Sequence, residues 1–224
     1  MKYNFIIPYR NRKEHLDEFI KRFTEYLKDK DIDAQFYIIH QINSNDFNRG
    51  AMLNIGFLEV CKTRSDGLFI FHDVDIYPTF WGSIIYDTRP GEIRHPINNK
   101  YNLEENLGGV CCFWKNEFEK VNGFPNYWGW GIEDNTILHR VRRANLYIDN
   151  SNSIDLNDSK KCFNPGHYIN PKNYESAKKN TVLHMRQFKS ITNGISSLKY
   201  EVLSSFELAP RFTIINVDFK LKEN

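Results

Sequence analysis

The sequence predicts an α/β protein whose central sheet is mostly parallel, and three observations carry this prediction. Short apolar runs occur at Tyr3–Ile7, Gln35–His40 and Leu68–Phe71, each long enough for a buried strand. Between them, apolar residues recur at helical spacing, as expected when crossover helices join parallel strands. Two strand-like runs near the carboxyl end predict a hairpin. No linker or repeat divides the chain, so residues 1–224 are expected to form one domain.

The composition excludes several classes of protein. With 30 basic and 28 acidic side chains, the formal charge is +2, too small to argue for nucleic acid or an anionic membrane as a partner. Near the amino terminus, only five residues, Phe5–Tyr9, separate polar Asn4 from Arg10, far too few for a signal sequence or a membrane span. The four cysteines lack the C-x-x-C spacing of zinc sites. These features favour a cytoplasmic protein with free thiols and no membrane span.

The first strand, Tyr3–Ile7, ends at Pro8 and leads into the loop PYRNR, residues 8–12. From Lys13 to Lys28, apolar residues share one helical face and charges share the other, so this helix is expected to pack on the sheet. Gln35–His40 is the second strand. Parallel α/β sheets carry ligands beyond the carboxyl ends of their strands, so the 8–12 loop is predicted to lie at a binding site.

Three arginines follow the ends of successive βα units. Arg10 and Arg12 follow the first strand, and Arg49 follows the second, just before a helical stretch over Ala51–Lys62. The guanidinium fork matches the oxygens of a phosphate group. One surface arginine is ordinarily solvated, but three at one predicted edge favour an anion site.

The third strand, Leu68–Phe71, runs directly into His72-Asp73-Val74-Asp75. Two acids separated by one residue point in different directions, so one can contact a divalent metal while the other hydrogen-bonds a ribose or a neighbouring loop. Hard oxygen ligands of this kind suit Mg²⁺ or Mn²⁺ bridging a diphosphate. A D-x-D pair alone is a weak signal, and its position between an apolar strand and Pro78 strengthens it.

The pattern is less regular after Pro78. Residues 77–107 predict loops and short strands beside the site, where Lys100 either contacts a phosphate or is solvated. A strand is expected over 107–114, a helical turn over 116–121, and a helix from Asp134 to about Asn145. The polar stretch 149–180 predicts a long loop, in which His167 is ordinarily solvated unless a metal site lies opposite. The hairpin strands are expected at 197–204 and 212–219, joined through 207–210.

The segment YWGWGIED, residues 127–134, combines three aromatic rings, two glycines and the carboxylates Glu133 and Asp134. Aromatic faces stack on the C–H faces of sugars, glycines let the backbone approach a ligand, and a carboxylate can take a proton from an attacking hydroxyl. The alternative is an aromatic turn capping a helix, with the two acids favoured by the helix dipole. The residues alone leave both interpretations open.

Five motifs occur in one order along the chain: FIIPYRNRKEHL, FNRGAMLNIGF, FIFHDVDIYP, LGGVCCFW and NGFPNYWGWGIEDN, with a looser GISSLKYEVL after them. In these motifs, from residue 5 to about residue 203, the chain resembles the catalytic domain of the β1,4-galactosyltransferases. The resemblance implies a GT-A type, Rossmann-like nucleotide-sugar-binding fold. It also implies inverting transfer from a UDP-sugar to a carbohydrate or glycoconjugate acceptor, with Mn²⁺ as cofactor. The family's amino-terminal membrane anchor and stem have no counterpart in this sequence, in agreement with the cytoplasmic expectation.

The resemblance assigns residues to the donor. The loop that holds UDP in the family matches Pro8, Tyr9, Arg10 and Arg12. The uridine and phosphate contacts match Phe47 and Arg49. Asp73 matches the first acid of D-V-D, and Trp130 matches the tryptophan that closes over the donor. Lys100 is the further phosphate candidate named above.

The resemblance also implies the metal ligands and the catalytic acids. Asp75 matches the metal-binding acid, and the spacing from Cys162 makes His167 a second ligand. Glu133 and Asp134 match the acceptor-side acids, with Asp134 as the general base.

Three positions depart from the family pattern. Asn164 stands where vertebrate members have a methionine ligand; an amide oxygen is harder than a thioether, so either Mg²⁺ serves as well as Mn²⁺ or this contact is missing. Asn106 replaces a tyrosine that crowds the donor's C2 substituent, which makes UDP-GalNAc an alternative to UDP-Gal. Asn135 replaces a further acid that contacts the acceptor sugar, so the acceptor stays open.

Other functions compete with a galactosyltransferase. A related transferase could use UDP-Glc or UDP-GlcNAc for a different linkage. A non-catalytic carbohydrate-binding protein needs neither a metal nor a base, so the intact D-x-D and Glu133-Asp134 pairs favour an enzyme. A nucleotidyltransferase also uses carboxylate-held metal, but no glycine-rich triphosphate loop follows the first strand.

Overall fold

The structure, a computed structural model, describes residues 1–98, 106–165, 171–187 and 191–220. In these ranges the strands are β1 (Lys2–Tyr9), β2 (Asp33–Gln41), β3 (Leu68–His72), β4 (Tyr77–Pro78), β5 (Glu92–Arg94), β6 (Ile97–Asn98), β7 (Val110–Phe113), β8 (Tyr147–Asp149), β9 (Ile154–Asp155), β10 (Cys162–Phe163), β11 (Lys199–Ala209) and β12 (Phe212–Lys220). The helices are α1 (Lys13–Leu27), α2 (Arg49–Cys61), α3 (Lys115–Lys120), α4 (Glu133–Arg143) and α5 (Pro171–Gln187), with a 3₁₀ turn at Ile195–Ser197.

Within the described ranges, eight strands form one sheet in the order β11-β12-β2-β1-β3-β7-β5-β8. β1 pairs in parallel with β2 and β3, and β12 extends the parallel part on the far side of β2. β7 is antiparallel to β3, and β11 is antiparallel to β12. The predicted α/β class, with its mostly parallel central sheet and carboxyl-terminal hairpin, is confirmed.

Both faces of the central strands are covered. Phe5 and Ile7 of β1 pack with α1 in one core cluster, whereas Ile6 packs with α2 in a second cluster. α2 lies very close to the sheet, because a Cβ on its Gly56 would come within 2.4 Å of Ile6. The two faces of the central strands are therefore covered mainly by apolar side chains.

The prediction of a long loop over 149–180 is wrong. Within this stretch the structure has the short strands β9 and β10 and the first ten residues of the α5 helix. α5 was missed because its inner face is built from small and polar residues, which give no hydrophobic periodicity. Ser176, Ala177, Asn180 and His184 are among the residues that lie against the chain beneath it.

None of the helices in the described ranges is long and apolar enough to cross a membrane. All four cysteines are free, as expected. Cys111 and Cys112 are neighbours on β7, where successive side chains point to opposite faces of the sheet. One therefore lies in each core cluster.

Candidate functional site

Three loops leave the same edge of the sheet, where β1, β2 and β3 end. The last residues of these adjacent parallel strands are Tyr9, Gln41 and His72. Gln41 is fully buried and shapes the second loop: its Nε2 donates to the Asp46 carbonyl at 3.0 Å, and its Oε1 accepts from the Asn48 backbone N–H at 2.8 Å. This edge brings together the loops that carry the predicted donor residues.

The loop after β1 carries two arginines with different surroundings. The guanidinium of Arg10 lies 5.4 Å from the centre of the Phe47 ring and donates to the Asn45 carbonyl, so it joins the first two loops. Arg12 Nη1 donates to Asp75 Oδ2 at 2.7 Å, and Asp75 is only 5% exposed. Each arginine therefore presents positive charge at the edge while tying two loops together.

Pro8 and Tyr9 belong to β1 itself rather than to the loop. Pro8 is buried and lies opposite Ile39 in the parallel pairing, and Tyr9 lies opposite His40. The Tyr9 and His40 rings are 5.1 Å apart. These two residues fix the point at which the chain leaves the sheet.

Arg49 is the centre of the site. Its Nε donates to Asp73 Oδ1 at 2.7 Å, and its Nη1 donates to Asp134 Oδ1 at 2.7 Å. Glu133 Oε1 lies 3.7 Å from the same Nη1. The Arg49 side chain is only 12% exposed, and its guanidinium carbon lies 5.8 Å from the centre of the Phe124 ring. One buried cation thus connects the D-V-D segment to the acids at the start of α4.

The carboxylates around Arg49 differ in their tendency to ionise. Burial, followed by the charge of Asp134, raises the pKa of Glu133 to about 8. Burial raises the pKa of Asp73 to about 6, although Arg49 opposes the shift. Burial alone would lower the pKa of Arg49, but Asp134, Asp73 and Glu133 together raise it well above its ordinary value. Burial thus favours the neutral form of Glu133, while the surrounding carboxylates favour the charged form of Arg49.

Only part of the aromatic segment can face a ligand. Trp130 is 38% exposed, whereas Tyr127 is 2% exposed. Trp128 stacks on Phe219 of β12, with ring centres 5.0 Å apart and an interplanar angle of 13°. Trp130 is therefore the ring of this segment that is most open to a ligand, whereas Tyr127 is buried and Trp128 packs on β12.

The glycines of this segment are required by α5. Gly129 has φ +77°, and a Cβ there would lie 2.3 Å from Ser176 Oγ. Asn180 is 2% exposed, and its Nδ2 donates to the Gly131 carbonyl at 3.0 Å and to the Trp128 carbonyl at 3.3 Å. α5 thus covers and fixes the loop that carries Trp130. Sequence reasoning missed this helix, although two glycines beside two tryptophans were a signal of close backbone approach.

The candidate metal ligands lie on two segments held together by a short antiparallel ladder. β4 begins two residues after Asp75, and β10 pairs with it so that Phe163 is opposite Tyr77. Continued by one residue, this register would bring Asn164 opposite Ile76, the neighbour of Asp75. Their carboxylate and amide oxygens fit Mg²⁺ or Mn²⁺. The described residues contain no group of three His, Cys, Asp or Glu side chains that could hold a metal, and both His167 and Lys100 lie outside them.

Asn106 precedes β7 and is 8% exposed. Its Oδ1 accepts a hydrogen bond from the Gly108 backbone N–H at 3.0 Å. Leu107, the next residue, is hydrogen-bonded to the segment that carries the catalytic candidates: its backbone N–H donates to the backbone carbonyl of Asp134 at 3.2 Å. Asn106 therefore lies beside the carboxylate cluster, and its side chain is turned back on its own loop.

Known proteins match this chain along most of its length. The model for the N-terminal region of glycosyl transferase group 7 matches residues 1–81, and that for the N-terminal domain of galactosyltransferase matches residues 89–163. β-1,4-Galactosyltransferase 4 of Cricetulus griseus is 35% identical over 219 residues, which are 96% of this chain and 62% of that protein. β-1,4-Galactosyltransferase 1 of Bos taurus is 31% identical over 224 residues, which are 97% of this chain and 54% of that protein. The chain thus spans little more than half the length of these relatives. Its cytoplasmic location, expected from the sequence, stays a prediction.

Solved structures agree with the predicted fold. The catalytic domain of Drosophila β1,4-galactosyltransferase 7, in complex with xylobiose, has a TM-score of 0.74 at 21% identity and covers 99% of this chain and 95% of that one. A mutant of the same enzyme, in complex with manganese, UDP-Gal and xylobiose, has a TM-score of 0.73 at 22% identity, with the same coverage. The GT-A type fold is confirmed. Motifs, fold and family models agree, and the chain belongs to the β1,4-galactosyltransferase family.

Proposed function

We propose that this chain is an inverting, metal-dependent glycosyltransferase that moves galactose, or GalNAc, from a UDP-sugar to a sugar hydroxyl. The observation that carries the proposal is the contact of Arg49 with both Asp73 and Asp134 at 2.7 Å. Asp73, from the predicted donor side, and Asp134, the predicted acceptor base, therefore contact the same guanidinium group. The chemistry of donor and acceptor is therefore expected within a few ångströms of one point.

The donor half of the site would bind UDP through its edge loops. Phe47 would stack on the uracil ring, and Arg10, Arg12 and Arg49 would contact the phosphates. Asp75, Asn164 and His167 are the residues that would hold Mn²⁺, which when bound would neutralise charge on the diphosphate leaving group. Mg²⁺ is the alternative, because oxygen ligands accept either ion.

The acceptor half would carry out the proton transfer. Asp134 would take the proton of the acceptor hydroxyl while that oxygen attacks C1 of the donor sugar, and the bond from C1 to the phosphate oxygen would break on the opposite face. The Asp134 side chain is 23% exposed, against 10% for Glu133, so a hydroxyl can reach it more easily. Glu133, whose protonated form is favoured by burial and by the charge of Asp134, would donate a hydrogen bond rather than accept a proton. Trp130 would cover the sugar and exclude water.

The relatives support this reaction class. A structural neighbour is described in complex with manganese, UDP-Gal and xylobiose, which are a metal, a donor and a carbohydrate. The curated relatives are named β-1,4-galactosyltransferases.

Asp134→Asn tests the assignment of the base. We expect transfer to fall by about 10²–10⁴-fold, as is typical when a general base is removed. Binding of UDP with Mn²⁺, measured by isothermal titration calorimetry, should stay within about threefold of wild type. Asp31→Asn, which changes an exposed acid remote from the site, serves as the matched control. Unimpaired transfer by Asp134→Asn would remove Asp134 from its role, and UDP binding that is insensitive to metal in the wild type would favour a sugar-binding protein.

Asn106→Tyr tests the donor. If the smaller side chain leaves room at C2 of the sugar, tyrosine should lower kcat/KM for UDP-GalNAc by tenfold or more relative to UDP-Gal, as expected for a steric change in a substrate pocket (about 1–3 kcal/mol). Release of UDP from both donors is measured in parallel with wild type and variant. An unchanged ratio of the two donors would show that Asn106 does not set the choice.

A further inference from the structure

A cation lies against two aromatic rings beside the candidate metal segments. Arg22 of α1 has its guanidinium carbon 5.4 Å from the ring centre of Tyr77 on β4 and 5.4 Å from that of Phe163 on β10. The two rings are stacked, with centres 6.0 Å apart and an interplanar angle of 17°. Arg22 Nε also donates to Glu18 Oε1 at 2.6 Å, one helical turn earlier. We name this group, Arg22 with Tyr77 and Phe163, the arginine clamp.

The two rings have unequal support from the rest of the protein. Tyr77 is 1% exposed, and its hydroxyl donates to the His15 carbonyl at 3.3 Å, so the core and α1 fix it. Phe163 is 47% exposed and belongs to a strand of two residues. Contacts to α1 through Arg22 therefore matter most for β10, which has little buried side-chain area of its own beyond Cys162.

The clamp lies next to both described metal-ligand candidates in the sequence. Tyr77 is two residues after Asp75, and Phe163 immediately precedes Asn164. Hydrogen bonds from Thr79 and Ser83 to the carbonyls of Lys160 and Lys161 hold the start of β10, whereas its ladder with β4 ends at Phe163. A small rotation of β10 about this anchored start would move Asn164 relative to Asp75. Residues that orient metal ligands typically change affinity by about 10–100-fold when they are replaced.

We propose that Arg22 is a positioning residue that holds β10 against β4 and thereby sets the affinity of the protein for its divalent cation. This inference rests on the proposed function, because it presumes a metal at Asp75 and Asn164. A cation over an aromatic face contributes about 0.5–2 kcal/mol, and the planar guanidinium contacts two rings at once. The ion pair with Glu18 is an ordinary pair on a helix surface and would by itself have no influence on β10.

The test measures binding of Mn²⁺ to the whole chain in the presence of UDP, by loss of the free-ion signal in electron paramagnetic resonance. Arg22→Met should weaken Mn²⁺ binding by about tenfold or more, while UDP binding without metal stays within twofold of wild type. Lys21→Met is the matched control, since Lys21 also lies near Glu18, at 3.8 Å, and contacts neither ring. Mn²⁺ binding to the control should be unchanged.

A double-variant comparison separates a clamp from a general loss of stability. Phe163→Leu should weaken Mn²⁺ binding in the same direction, and the Arg22→Met, Phe163→Leu double variant should lose less than the sum of the two single losses, because both variants remove the contact between Arg22 and Phe163. Fully additive losses, or Mn²⁺ binding by Arg22→Met within twofold of wild type, would overturn this inference alone. A wild-type protein that binds no Mn²⁺ would overturn the metal assignment of the proposed function and this inference with it. If Arg22→Met fails to fold, Phe163→Leu, altered at a half-exposed position, decides the outcome.

Discussion

Replacing Glu133 with glutamine should remove a large part of the pH dependence of folding stability between pH 5 and pH 8. The ordinary pKa of this carboxyl is 4.5, and in the folded protein burial and Asp134 raise it to about 8. Between these two values the folded protein holds a proton that the unfolded chain has released. Glu133 therefore lowers stability progressively as pH rises from about 4.5 through 8, and its full cost is reached above pH 8.

The size of the effect follows from the same two values. At about 1.4 kcal/mol for each pH unit between the folded and unfolded pKa, the cost of ionising Glu133 is about 3–5 kcal/mol. Little of this is screened by solvent, because the side chain is 10% exposed. Glutamine has nearly the same shape and no charge to desolvate, so it should escape this cost.

Urea unfolding followed by circular dichroism at pH 5, 6, 7 and 8 measures the difference. From pH 5 to pH 8 the wild type should lose about 3 kcal/mol more of its free energy of unfolding than Glu133→Gln does. Glu14→Gln, which removes one carboxylate from the exposed surface of α1, controls for the change in net charge. Parallel pH curves for the wild type and Glu133→Gln would refute the buried, protonated state of Glu133.

Two further substitutions test the packing of the site. Arg49→Met should destabilise the protein by about 3–5 kcal/mol at pH 8, because it leaves buried carboxylates without their counter-ion; unfolding within 1 kcal/mol of wild type would show that the cluster is solvated. Gly129→Ala should cost more than Gly82→Ala in thermal or urea unfolding. Both glycines have positive φ, but only at Gly129 would the new Cβ meet Ser176, at 2.3 Å, whereas Gly82 has nothing within 4 Å. Equal costs would mean that α5 does not press on the loop.

The central sheet could be predicted because its strands are apolar on both faces. The first run ends at Pro8 and the third follows Gly67, and helical periodicity is strong in α1, where Leu16, Phe19 and Phe23 are all buried. Burial of apolar side chains is the dominant force that favours folding, so the elements that it builds leave the clearest pattern. Their carboxyl ends then follow from the parallel order, which is why loop residues such as Arg10 and Asp73 were assigned to one edge.

Contacts across long sequence separations could not be predicted in the same way. Arg49 and Asp134 are 85 residues apart, and no local pattern links an arginine after β2 to an acid in the first turn of α4. The resemblance placed Arg49 at a phosphate, and the structure adds its contacts with Glu133 and Asp134. Likewise α5 packs through Ser176, Ala177 and Asn180 on glycines, so the close fit that holds it depends on the absence of large side chains. Such packing leaves no apolar periodicity for sequence reasoning to detect.

The position of Arg49 itself conflicts with helix stability, and this conflict points to function. Arg49 is the first residue of α2, and no acid lies in the first turn of that helix. A cation at a helix amino terminus opposes the helix dipole and typically costs about 0.3–1 kcal/mol. Glu133 and Asp134, in contrast, lie in the first turn of α4, where anions are favoured. The loss of stability at the amino terminus of α2 is offset because carboxylates from two other segments pair with Arg49. A residue that lowers local helix stability but pairs with residues far along the chain is expected at a functional site.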